Sequence, residues 1–204
     1  MTVPGTFDPS ARELIHAGLQ NLDEARSLFR QLSASGFDAA RCGLLLDALQ
    51  HVCDPDVALR NLVDIVNAQV SQGRALDDIV PDDTAFRQLV AVLGVSDAMG
   101  KLMRFRPDLV QAAATDHCNS HLYNHDQRRA HVLESVGADP NDRMSPTATM
   151  DLADAATALR RTYRNQLAAI IAQDTMSDDP IALQPRISSE LSDLADAALE
   201  GALA

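Results

Sequence analysis

Apolar residues along this chain recur every three or four positions, and the pattern predicts helices almost throughout. Ser10 with Glu13 forms a capping box ahead of Leu14, Ile15, Gly18 and Leu19. Leu22, Ala25, Leu28, Phe29 and Leu32 make a second amphipathic stretch that ends near Gly36. A third begins at about Asp38 and runs through Leu44, Leu45, Ala48, Leu49 and Val52. Asp54 followed by Pro55 is a well-formed helix start, because Asp accepts the orphan amides and Pro sits where no intrahelical N–H bond is lost. Val57, Leu59, Leu62, Val63, Ile65 and Val66 continue that helix to about Gln72.

Gly73 and Pro81 bracket an expected loop. Helices are expected over about 82–93 and 96–106 with Gly94 between them, and a short turn or helix after Pro107. Residues 116–146 hold Pro140, Asn141, Asp142 and Pro146 and read as a linker around a single helix near 126–136. A long helix is predicted over 147–174 with Leu152, Ala156, Leu159, Tyr163, Leu167 and Ile170 as its apolar stripe. A loop over 177–185 and a final helix from about Ser188 complete the pattern. Nothing alternates with period two, so the expected fold class is all-α. The expected domains are a helical part over 1–115, the linker over 116–146 and a long helical pair over 147–204. Leu44–Val66 and Leu89–Val110 resemble each other as helix–acidic turn–helix units, which suggests a HEAT-like first part.

Composition adds restrictions. Aromatic residues are 3% and Trp is absent, which suits helices better than strands. A net charge of −12 argues against nucleic acid, whose phosphates need a basic surface. Sixteen of the seventeen basic residues are Arg, which codon usage explains. Cys42, Cys53 and Cys118 are odd in number and lack CxxC pairing, so a reducing compartment is expected. The first residues have no signal-peptide pattern and no apolar run is long enough to span a membrane, which points to the cytoplasm.

Two clusters carry candidate chemistry. His117, His121 and His125 are spaced to stack on one helical face, as zinc ligands can, but no HExxH core or second cysteine accompanies them. A polar, histidine-rich turn is the plainer reading. Arg160, Arg161 and Arg164 lie within about one turn beside the long helix's stripe. Three guanidiniums there can bind phosphate, or simply pair with Asp151, Asp154 or other nearby acids. The chain has no GxG or Gly-Gly to cradle phosphate, and its only Asp-x-Asp, Asp54-Pro55-Asp56, is explained by capping. The last helix repeats Leu191, Leu194, Ala195, Ala198, Leu199 and Leu203 up to Ala204 with no C-cap signal, and reads as truncated.

Three stretches also resemble a family. LLLDALQHVCDPDVALRNLVDI at 44–65 and FRQLVAVLGVSDAMGKLMRFRPDLV at 86–110 are similar to successive segments near the start of glutamine synthetase adenylyltransferases. LRRTYRNQLAAIIAQDTMSDDPIALQPRISSELSDLADAALEGALA at 159–204 resembles their "LRR.YR..L..IA..D" and "LS.LADA.L..AL" helices. The resemblance implies the N-terminal part of the adenylyl-removing half of a two-headed nucleotidyltransferase, stopping before the α/β core and its "GG..L...SD.D" motif. It implies that the parent enzyme uses Mg2+ and ATP or inorganic phosphate, acts on glutamine synthetase and answers to a PII-type signalling protein. No cofactor is then expected on this segment. Cut from its core, the last helix should expose Leu194, Leu199 and Leu203 and promote association. A self-contained helical-repeat interaction module is the alternative.

Overall fold

The computed structural model describes residues 7–74, 82–114, 124–177 and 179–204. Among them the regular structure is entirely helical: α1 (Ala11–His16), α2 (Leu22–Ala34), α3 (Ala39–Leu49), α4 (Pro55–Ser71), α5 (Asp83–Val95), α6 (Asp97–Met103), α7 (Pro107–Ala114), α8 (His125–Ser135), α9 (Leu152–Thr175) and α10 (Pro180–Leu203). Side-chain caps explain most of the starts. Ser10, Asn21, Asp38, Asp54, Asp82, Ser96, Asn124, Asp151 and Asp179 each accept a first-turn amide that has no carbonyl partner inside its helix. Two of these are full capping boxes, Ser10 with Glu13 and Asn124 with Gln127.

The chain divides into two compact units, residues 1–115 and 116–204. In the first, α4 and α5 form the central pair; α2 packs on α4, α3 and α7 pack on α5, and α6 touches both. The core is aliphatic, with Leu45, Leu49, Leu59, Leu62, Ile65, Leu89 and Leu93 fully buried. Phe37 and Phe86 add a tilted ring pair at 6.0 Å between centroids. Asp56 in the first turn of α4 accepts the amides of Gln20 and Asn21 at 3.0 and 3.3 Å, joining the α1–α2 turn to that helix.

Gly94, expected between two helices, lies inside α5. A Cβ there would meet the Cβ of Val52 at 2.9 Å, so the residue serves close packing rather than a chain break. The Gly73–Pro81 loop falls largely on residues 75–81, outside the described residues.

In the second unit α8, α9 and α10 pack mutually. The helix expected within a linker is thus one of three packed helices. Leu133, Val136 and Ala138 make one buried cluster, against which Ala148, Ala155 and Leu159 lie. Ile170, Ile187 and Leu194 make the other. Gly201 admits the close approach of α8, because a Cβ there would stand 2.8 Å from Val132 Cγ1. The coil after α8 is tied down too: Ala148 donates its amide to the Ala204 carbonyl at 3.0 Å, and the Thr149 hydroxyl donates to the Gly137 carbonyl at 2.8 Å.

Several boundaries differ from the sequence expectation. The long helix begins at Leu152 rather than near 147, where Asp151 caps it. The last helix begins at Pro180, so the expected 177–185 loop is mostly helix, with Pro185 inside it. Asp179 caps that start and Pro180 takes the first position. The bond lost at Pro185 would have gone to the carbonyl of Ile181, a residue 87% exposed, where water can replace it. The expected stripe of the long helix is also incomplete. Leu152 is 88% exposed, while Gln166 and Ala168 are buried. Leu194, expected to be exposed, is 1% exposed because it packs between Ile170 and Ile187.

Candidate functional site

The arginine turn stands on α9, whose register is set by the faces that Leu159, Gln166 and Ile170 turn toward α8 and α10. Arg160, Arg161 and Arg164 project from the other side of the helix; Arg160 and Arg161 are exposed and Arg164 is half-buried. Asp151 is engaged as the α9 cap, accepting from Ala153 and Asp154 at 3.0 and 3.2 Å, and those amides hold its carboxyl below the usual carboxylate range. Arg160 and Arg164 make no ion pair with a described residue. Arg160 and Arg164 therefore present positive charge, which suits phosphate or carboxylate.

The histidine triad falls mostly outside the described residues, which include His125 but neither His117 nor His121. His125 opens α8 and is more than half exposed, with Nδ1 3.1 Å from Asp193 Oδ1. Among the described residues no group of three His, Cys, Asp or Glu side chains is placed to hold a metal. The carboxylates of Asp54-Pro55-Asp56 do not suit magnesium, because each is occupied by backbone amides, of Val57 for one and of Gln20 and Asn21 for the other.

A polar site missing from the sequence reading lies inside the second unit. Arg128 is 1% exposed; it donates to Gln166 Oε1 at 2.7 Å and forms a close ion pair with Glu190. Arg128 Nε and Gln166 Nε2 have no hydrogen-bond partner. Burial pushes the Glu190 carboxyl above its usual value, against the opposing pull of Arg128 and Arg186. Next along α8, Arg129 clamps both oxygens of Glu200 at 2.6 and 2.7 Å and donates to the carbonyls of Pro140 and Asp142. With His125–Asp193 these contacts make a ladder of three polar pairs, two of them ion pairs, between α8 and α10.

The signal for this ladder was present in the sequence. Arg128 sits four residues before Val132 on the apolar face of α8, and Glu190 sits between Ile187 and Leu194 on that of α10. A charged residue in register with an apolar stripe needs a partner inside.

In the first unit, an open hollow of about 290 Å3 is lined by Asp38, Ala40, Arg41, Leu44 and Asp83. The Asp38 side chain also caps α3 there, accepting from Arg41 N at 2.8 Å. Cys42 is buried and its thiol is pushed up to about 11, chiefly by burial, so it is no nucleophile at neutral pH; Cys53 is exposed. No described helix is long and apolar enough to cross a membrane.

The chain is 65% identical over 198 residues, 97% of its length, to the bifunctional glutamine synthetase adenylyltransferase/adenylyl-removing enzyme of Bifidobacterium longum (strain DJO10A). It is 33% identical over 96% of its length to the enzyme of the same name from Nocardia farcinica, and 30% identical over 94% to that of Leifsonia xyli subsp. xyli. The match spans 18% of the Bifidobacterium longum protein, 20% of the Nocardia farcinica protein and 18% of the Leifsonia xyli protein. The homologues thus carry this helical segment within chains about five times as long, and they lend no support to a self-contained repeat module. No family model and no solved structure matches.

Proposed function

We propose that this chain, homologous over nearly its whole length to a segment of glutamine synthetase adenylyltransferase/adenylyl-removing enzymes, is a helical scaffold for the adenylyl-removing half of such an enzyme. The observation that carries this reading is the 65% identity over 97% of the chain, matched to only 18% of the relative. The chemistry belongs to the remainder of the longer protein. In the adenylyl-removing direction, an oxygen of inorganic phosphate attacks the phosphorus of the AMP group on a glutamine synthetase tyrosine. The bond to the phenolic oxygen breaks, giving ADP, and the tyrosine takes up a proton. In the other direction ATP supplies AMP and releases pyrophosphate. Magnesium would neutralise charge on the transferring group, held by carboxylates outside this segment, since Asp54 caps α4 and Asp56 holds the α1–α2 turn.

This segment contributes shape and positive charge. Arg160, Arg161 and Arg164 face away from the α8–α10 core, with Arg160 and Arg164 free of ion pairs among the described residues. They are the groups that would stabilise phosphate charge near the reacting centre. Glutamine synthetase is then the protein substrate and a PII-type signalling protein the expected regulator.

Deadenylylation of AMP-modified glutamine synthetase, with phosphate and magnesium, tests the reading. It compares this chain, the polypeptide extended to its relatives' length, and the extended form with Arg160, Arg161 and Arg164 all changed to Ala. Activity is expected only in the extended forms, with the triple variant reduced about 100- to 1,000-fold, the range for removing a transition-state charge contact. Activity in the 204-residue chain, or its absence from the extended form, would overturn the proposal.

A further inference from the structure

Helix α10 carries three distinct faces. One, with Ile187, Glu190, Leu194, Ala197 and Gly201, is buried. The second holds all the charge of the helix, since Arg186, Glu190, Asp193, Asp196 and Glu200 fall within a single sector and three of them pair with α8. The third has no charged residue along its length. Ile181, Ser188, Leu191, Ala195, Leu199 and Ala202 recur there, and every one is exposed. Ile181 is 87% exposed and Leu199 65%, with Leu203 beside them at 88%.

We propose that this charge-free face of α10 is an internal docking seam, covered by an apolar surface of the same polypeptide in proteins of the relatives' full length. The inference rests on the reading that the segment works within a longer enzyme, and it names which face meets the rest. Three observations support that occupant over others. A face without charge offers nothing to an acidic or basic ligand, so its partner is itself apolar. Its area is small. A helix of 24 residues is about 36 Å long, and a strip about 10 Å wide buries roughly 700 Å2 when two copies pair, short of the ~1,200 Å2 of stable complexes. A surface on the same chain needs no such area, because tethering raises its effective concentration to the millimolar range. Finally, the homologues provide the chain needed, since this segment is 18% of their length.

The α8–α10 ladder makes the seam rigid. His125–Asp193, Arg128–Glu190 and Arg129–Glu200 hold α10 from its other side, so the exposed face is presented in one register.

Leu199→Cys, with Cys53 and Cys118 changed to Ser, reports directly on coverage through its rate of maleimide labelling. Labelling is expected to be at least tenfold slower in the polypeptide of full relatives' length than in the 204-residue chain, with the urea-unfolded proteins labelling equally. Equal rates in the two folded proteins would overturn the proposal. So would labelling of the 204-residue chain that slows with concentration while light scattering shows a dimer, since a second copy would then be the occupant. The deadenylylation assay on the same extended protein separates the two readings: protection without activity supports the seam and defeats the enzymatic reading, and activity without protection does the reverse.

Discussion

The two units solve the same problem, burying helices, by different means. The first closes around aliphatic side chains, and its buried polar residues Asn61, Gln69 and Gln88 are all neutral. Asn61 and Gln69 are partnered by the carbonyls of Leu93 and Met103. The second has two small apolar clusters and a buried Arg–Glu pair, and it leaves Leu152, Ile181, Leu199 and Leu203 in solvent. Area removed from water holds the first unit together. The second relies on charge geometry, which selects a register more than it stabilises. A unit that spends its interior on register and keeps apolar surface outside is built to present a face.

That contrast is sharpest at Arg128. Arg128→Ala is expected to cost about 3–5 kcal/mol by leaving Glu190 buried and unpaired, read from urea unfolding with hydrogen exchange localised to α8–α10. The double change Arg128→Met with Glu190→Met should recover most of that loss. If it does not, the pair is itself a main source of stability and the contrast fails.

Leu59→Ala in the first unit should cost about 2–5 kcal/mol through its cavity, whereas Leu199→Ala should stay within about 0.5 kcal/mol because Leu199 is already in solvent. Equal costs would mean that the α10 face is covered in the isolated chain. Removing the cap of α4 with Asp54→Ala should cost about 0.5–2 kcal/mol, measurable as a shift in thermal midpoint.

The smallest effect concerns pH. Backbone amides hold the carboxyls of Asp142 and Asp151 below their usual values. A depressed folded-state value means that the unfolded chain binds more protons, so this stability is present above the unfolded value of about 3.9 and is lost as pH falls through the lower folded one. Amide exchange at Ala153, Asp154, Met144 and Ser145 should rise on acidification below about pH 3.9, with NMR midpoints for both carboxyls under the ordinary Asp value. A midpoint at or above it would break the assignment.

Most helix starts were legible because capping is local: Ser10, Asp38, Asp54 and Asp82 act within three residues of where they stand. The arginine turn was legible as a cluster on the long helix. Its surroundings were not, because whether Arg160 and Arg164 meet an acid depends on where the other segments end up. The buried Arg128 did carry a local signal, its place four residues before Val132 on the apolar face of α8, but its partner Glu190 lies 62 residues further along the chain.

By itself, then, the sequence determined the helical class, the caps and the periodic apolar faces, all of which follow from contacts a few residues apart. The tertiary structure decided which of those faces are covered. Leu152 and Leu159 are two turns apart on one face of α9, yet Leu159 packs against the Leu133–Val136 cluster while Leu152 remains 88% exposed. Periodicity aims a side chain; only the reach of the neighbouring helices removes it from water.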